Sequence, residues 1–246
     1  MALQDILSTR TQPNQFVQTG SYEAARPLLK WTYIWMFFGL IITGVVALVT
    51  STNEAMIAMV TAPGFGIMAF IVQIGIALGM GFALQRISPA LAAGLYMLYA
   101  FVTGLTFSVI FLVFSIGTIG LAFFSAAVLF AVMSVFAFTT KTDLSRFGNI
   151  LMIGLIGVLI VTVINIFIGS SFLTMLISIV GLVVFLGLTA YDTQNIQRMA
   201  MHPEVQANQD LMTKLGIFSA FQLYINFIMI FIYLLQIFGI MGGNND

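Results

Sequence analysis

The sequence predicts an all-α, polytopic membrane protein with seven transmembrane helices. Three observations predict it. Only 7% of the residues are charged and 61% are apolar, whereas soluble globular domains carry roughly 25% charged residues. Uncharged runs cover residues 87–140, 147–191 and 215–245, and each is longer than the roughly 20 residues a helix needs to cross a bilayer. These runs lack the alternation of barrel strands. Backbone groups in lipid must be satisfied internally, so helices fit them.

The seven expected spans are residues 31–49, 65–83, 89–114, 118–138, 148–168, 172–191 and 215–238. Pro89 sits in the first turn of the third, where a missing N–H costs nothing. Asp143 precedes the fifth and is expected to cap its start. Gly75 and Gly79 in the second form a Gly-x-x-x-Gly pair of the kind that allows close helix approach, and packing alone explains them. Residues 1–30 are polar and rich in Gln and Thr, and read as a mobile cytoplasmic tail before a transmembrane domain of residues 31–246.

Orientation follows from the basic residues. Arg10, Arg26 and Lys30 precede the first span, Arg86 follows the second, Lys141 and Arg146 follow the fourth, and Arg198 and Lys214 follow the sixth. The alternate loops and the C-terminal tail carry none. All eight fall on one side, which places the N-terminus in the cytoplasm and the C-terminus outside.

The polar residues inside the spans are few. Ser219, Gln222, Asn226, Tyr233 and Gln236 fall on one stripe of the seventh helix. That stripe faces either neighbouring helices, through interhelical hydrogen bonds, or a pore or cavity wall. Asp192 ends the uncharged run 147–191, at the expected end of the sixth span. A carboxylate at membrane depth is costly and usually serves a cavity, a partner or a pathway. Arg86 is the candidate partner at the same interface. Asp192 at a helix C-terminus would also oppose the helix dipole.

Several functions are excluded or disfavoured. With no cysteine there is no disulfide or thiolate metal site. Zero net charge leaves no basic footprint for nucleic acid. No Gly-x-Ser-x-Gly or His-Glu-x-x-His pattern occurs, and no second Asp lies within a span, so no catalytic role and no cofactor are expected. His202, the only histidine, reads as a solvated loop residue.

Four segments together resemble a known family: LTAYDTQNIQRM (188–199), LYINFIMIFIYLLQIFG (223–239), RISPALAAGLYMLYAFVTGLTFSVIF (86–111) and TTKTDLSRFGN (139–149). They are similar to bacterial members of the Bax-inhibitor-motif, or Bax inhibitor-1-like, membrane proteins. The resemblance implies seven helices with a central seventh wrapped by the other six, in the bacterial inner membrane. It implies a pH-sensitive calcium leak, controlled by two aspartates that share a proton and by an arginine of the second span. Asp192 matches the first aspartate and Arg86 the arginine. The second falls at Asn226, because the family pattern Leu-Tyr-Leu-Asp-Phe reads here Leu223-Tyr224-Ile225-Asn226-Phe227.

The physics gives the consequence of that change. Two close carboxylates cannot both ionise cheaply, and an amide in place of one removes the repulsion. Asn226 donates a hydrogen bond to Asp192 at any pH but does not titrate. A single carboxylate gives only a weak, transient calcium site, since calcium takes six to eight oxygen ligands. The expected pore and pH-sensing residues are therefore Asp192, Asn226 and Arg86, with Ser219, Gln222 and Tyr233 lining the pore. The expected partners are the lipid bilayer and calcium or other cations. The alternative is a non-conducting regulator of a membrane-bound protease, within membrane-protein quality control.

Overall fold

The chain folds into helices wherever its apolar runs predict them. The computed structural model describes residues 16–83 and 87–243, with side chains at 26–82 and 87–243. Among the described residues seven helices are long and apolar enough to cross a bilayer. They are α1 (Phe16–Ser51), α2 (Phe65–Ala83), α3 (Pro89–Phe107), α4 (Ile116–Thr139), α5 (Gly148–Ile168), α6 (Ser171–Ala200) and α7 (Gln209–Gly242). No strand occurs among them.

The boundaries are set by residues that satisfy the free backbone groups of helix ends. Ser88 caps α3, accepting from the Leu91 N–H at 3.2 Å, with Pro89 in the first turn. Ser115 caps α4 and Ser170 caps α6 in the same way. Asn208 caps α7 through the Leu211 N–H at 3.0 Å. Asp143 caps a 3-10 turn, Leu144–Phe147, that leads straight into α5. α5 stops at Gly169, whose φ of +67° is a left-handed conformation that favours glycine. The Asn165 side chain closes this hairpin, donating to Thr174 Oγ1 at 2.7 Å and accepting from the Ser170 N–H.

Three helices are longer than the hydropathy pattern indicates. α1 passes residue 30 without a break and starts at Phe16, so residues 16–30 belong to a helix; residues 1–15 of the expected tail lie outside the described residues. Leu28 and Leu29 are buried, and Leu28 packs beside Gly216 of α7. α6 continues nine residues past Tyr191, and α7 begins six residues before Leu215. The stretch 193–214, read from the sequence as a polar loop, is thus largely helical, with a short helix Pro203–Ala207 between. The 30 residues of α6 and the 34 of α7 span about 45 and 51 Å at 1.5 Å per residue. Both exceed the roughly 30 Å hydrocarbon core, so helix geometry persists where hydropathy has fallen away.

α7 is the central helix. It packs against α6, α1, α4 and α3. The apolar window of α7 is 56% buried inside the protein, against 6% for that of α5. A helix enclosed on this scale is apolar on most faces, as α7 is outside its polar stripe. The expectation that all six others wrap it needs correction: α2 packs chiefly on α3, and α5 on α6, as an outer pair. Helix faces too crowded for side chains carry glycine or alanine. A Cβ on Gly181 would lie 2.4 Å from the Tyr233 ring, and Ala122 and Ala126 of α4 are fully buried. Gly75 and Gly79 are different. A Cβ on either would meet nothing within 4 Å, so this pair mediates no close approach within the chain.

Candidate functional site

The central site lies where α6 crosses α7. Asn226 Nδ2 donates to Asp192 Oδ2 at 2.6 Å. Asn226 is buried and Asp192 half-buried. Asp192 is not at a helix end. α6 runs eight residues further, about 12 Å along its axis, so the opposition to the helix dipole expected at a C-terminus does not arise.

Tyr233 and Gln236 of the polar stripe of α7 also turn toward α6. Ser178 Oγ donates to Gln236 Oε1 at 2.7 Å. The Tyr233 ring fills the space left by Gly181 and lies 5.9 Å from the Phe185 ring. Ser219 is fully buried and Gln222 half-buried. Polar residues of the stripe therefore engage a neighbouring helix in this conformation. Tyr224 points the other way, its hydroxyl 2.6 Å from Thr43 Oγ1 of α1, which in turn donates to the Ala100 carbonyl of α3. Tyr96 and Tyr99 of α3 pack edge-on against both Tyr224 and Phe221, fixing the rotation of α7.

Arg86, the expected cationic partner, lies outside the described residues. Among the described residues no cluster of three or more His, Asp or Glu gathers as a metal site would need. Among the described residues the chemistry available at the crossing is that of one carboxylate held by one amide donor.

A second polar cluster lies beyond Asp192 along α6. Arg198 Nη2 pairs with Asp143 Oδ1 and also donates to Gln194 Oε1. Gln194 Oε1 accepts from the Leu144 N–H at 2.8 Å, while its Nε2 donates to the Thr142 carbonyl at 2.9 Å. This clasp ties the loop between α4 and α5 to the extension of α6. Asp143 lies outside the membrane segments, and the Ser145 hydroxyl and N–H, then the Arg198 guanidinium, lower its carboxyl from 3.8 to about 2. A polar cavity of about 390 Å³ opens beside the clasp, between Thr139–Asp143 and Gln194–Met201. Sequence reading found Asp143 as a cap but missed its partner, because Arg198 is 55 residues away.

Residues 25–243 match the model of the family described as Inhibitor of apoptosis-promoting Bax1. The chain belongs to this family. It is 36% identical to the Inner membrane protein YbhL of Escherichia coli over 208 residues, covering 84% of this chain and 88% of that one. It is 39% identical to an uncharacterized protein of Borreliella burgdorferi over 205 residues, 83% of this chain and 88% of the relative. A protein of Deinococcus radiodurans is 34% identical over 229 residues, covering 93% and 95%. The family membership extends from within α1 to the end of α7, so the α6–α7 crossing lies well inside it.

Proposed function

We propose that this Bax1-family chain is a multi-pass inner-membrane protein that leaks cations, calcium among them, under the control of pH at Asp192. The observation that carries the reading is the 2.6 Å contact between Asp192 and Asn226 at the crossing of α6 and the central α7. A carboxylate held inside a spanning segment is expensive to keep. Here it ties together the two helices whose separation would open a path beside the polar stripe. The kinship to an inner membrane protein supports the location. The one-sided basic residues support a cytoplasmic N-terminus and an external C-terminus.

Gating then works through the pair. With Asp192 ionised, the Asn226 amide donates a charge-assisted bond across the crossing. Protonation weakens that bond and frees α6 to shift against α7. Ser219, Gln222 and Tyr233 line the route, and Arg86 competes for the carboxylate. Calcium meets one carboxylate and neutral oxygens, a weak site suited to passage.

Calcium flux in proteoliposomes across a pH series tests this. Wild type should conduct with a pH-dependent rate, Asp192→Asn should flatten the pH response, and Asn226→Asp should steepen it. Flux that is absent, or that ignores both substitutions, refutes the gate. The second reading, a regulator of a membrane-bound protease, is favoured by Asn226 standing where the family pattern has a carboxylate. Recovery of such a protease with the full chain, combined with no flux, supports it.

A further inference from the structure

An apolar cavity of about 300 Å³ lies among α1, α3, α4 and α7, on the face of α7 turned away from Asn226. Its floor is Phe227, Ile228 and Phe231, all buried. Phe107 and Ile110, where α3 gives way to the short helix Ile110–Val113, close one side. Among the described residues that line it, Thr43 alone has a polar side chain. The Thr43 hydroxyl is already engaged: it donates to the Ala100 carbonyl and lies 2.6 Å from the Tyr224 hydroxyl.

The cavity opens sideways. α1 and α4 both pack on α7 but scarcely on each other. Near one end of the spans Tyr33 bridges them, its ring 6.5 Å from those of Phe130 and Phe138. Toward the other end, Gly44 of α1 and Gly120 of α4 border the cavity. Both are exposed, and a Cβ on either would meet nothing within 4 Å. Beside them Val45 and Phe124 are 55% and 69% exposed, part of the apolar surface that the spans present to lipid. The mouth is thus continuous with the lipid-facing surface. Gly120 is four residues into α4, about 6 Å along its axis, so the mouth lies within a spanning segment and close to its end.

We propose that this cavity takes one acyl chain of a bilayer phospholipid, which enters between α1 and α4 from the leaflet on the side of the α3–α4 turn. An apolar cavity stays dry but admits apolar guests. Its volume is at the small end of ligand pockets, which run roughly 300–1,000 Å³. Left empty, it deprives its lining of the dispersion contacts that a guest supplies. Lipid is the medium at its mouth, and hydrocarbon is the part of a lipid that such a lining holds. No side-chain donor in the lining is free to hold a carboxylate, so the site does not select a free fatty acid over the phospholipid that forms the bilayer. The headgroup stays at the membrane surface, and the chain packs on Phe227 and Phe231, backing α7 on the face turned away from its contact with Asp192.

Photolabelling of the full wild-type chain tests this, in phosphatidylethanolamine–phosphatidylglycerol vesicles with a trace of phosphatidylethanolamine that carries a diazirine midway along one acyl chain. Mass spectrometry should place adducts on Phe227, Ile228 or Phe231, which lipid confined to the outer surface does not reach, as well as on outward residues such as Val45 and Phe124. Adducts on outward residues alone overturn the proposal. Gly120→Leu sets a larger side chain across the mouth and should lower the floor adducts by an order of magnitude while the outward ones persist. Gly75→Leu is the control, because Gly75 is also exposed with open space at its Cβ position but does not border the cavity. Floor labelling that ignores Gly120→Leu, or that falls equally with Gly75→Leu, overturns the proposal as well. A free fatty acid carrying the same diazirine, at equal concentration, should label the floor no more than the phospholipid does. Floor adducts from the fatty acid alone overturn the choice of phospholipid. The readout needs no ion flux, so it stands apart from the gate at Asp192.

Discussion

Asn226 and Asp192, 34 positions apart, are held 2.6 Å apart where α7 crosses α6. The amide is buried and fixed by its helix, and among the described residues it is the carboxylate's one donor. Removing that donor leaves a carboxylate without its bond inside the bundle. Asn226→Ala should therefore destabilise the protein by about 1–3 kcal/mol. The loss should largely vanish when Asp192→Ala is already present, because no carboxylate is then stranded. Denaturant titration in detergent, run as a double-mutant cycle, measures it. Additive losses would show that the two side chains do not depend on each other.

Glycine positions separate crowded faces from open ones. Gly181→Ala places a methyl 2.4 Å from the Tyr233 ring and should cost about 1–3 kcal/mol as the ring is displaced. Gly75→Ala and Gly79→Ala meet open space. They should stay within about 0.5 kcal/mol of the parent or gain slightly from the better helix propensity of alanine. Thermal unfolding of the three variants side by side checks the ranking. A large loss at Gly75 or Gly79 would mean that α2 has a close neighbour beyond this chain.

The clasp of Asp143, Ser145 and Arg198 predicts a pH response away from the membrane. Its carboxyl is lowered from 3.8 to about 2 in the folded protein. A lowered carboxylate stabilises above its unfolded value, and the stabilisation fades as pH falls through the folded value. The protection factors of the Leu144 and Ser145 amides, taken against the intrinsic exchange rate at each pH, should thus be steady from neutral pH down to about 4 and fall between about 4 and 2. Arg198→Gln should bring that fall to higher pH. Protection that already drops between pH 7 and 5 would place the controlling group elsewhere.

Topology is open to a direct measurement. A reporter fused after Gly243 should register outside the cytoplasm, and one placed between Lys141 and Asp143 inside it. A cytoplasmic signal at Gly243 would contradict the odd number of crossings.

What the sequence makes legible follows from which forces leave a linear trace. Burial in lipid does, so the centres of all seven spans are readable from hydropathy alone. Helix continuation into water does not. Thr193–Ala200 and Gln209–Lys214 are polar, and only packing and the Asn208 cap keep them helical. The stripe of Ser219, Gln222 and Asn226 was readable by period, and interhelical hydrogen bonding, which Asn226 makes to Asp192, was one of two readings left open. The Asp192–Asn226 contact was reachable because both lie in segments that resemble the family. The Arg198–Asp143 pair was not, since neither residue belongs to a periodic pattern and loop pairing depends on where α4 and α6 end. The Gly75 and Gly79 spacing misled, because glycines at four-residue spacing occur on outward faces of α2 as readily as on packed ones.

The most enclosed helix of the bundle is also made after the six others. Until Gln209–Gly242 leaves the ribosome, the surfaces of α1, α3, α4 and α6 that it covers have only lipid or each other to meet. Those surfaces include Thr43, Gly181 and the Asp192 carboxylate. The early helices thus assemble around a vacant axis, and insertion of α7 completes them in the manner of a keystone. The contacts of Asn226 with Asp192 and of Gln236 with Ser178 can form only at that last step. Stalled synthesis before residue 209 should leave a membrane-inserted but unfinished shell, with a carboxylate on its inner face and without its Asn226 donor.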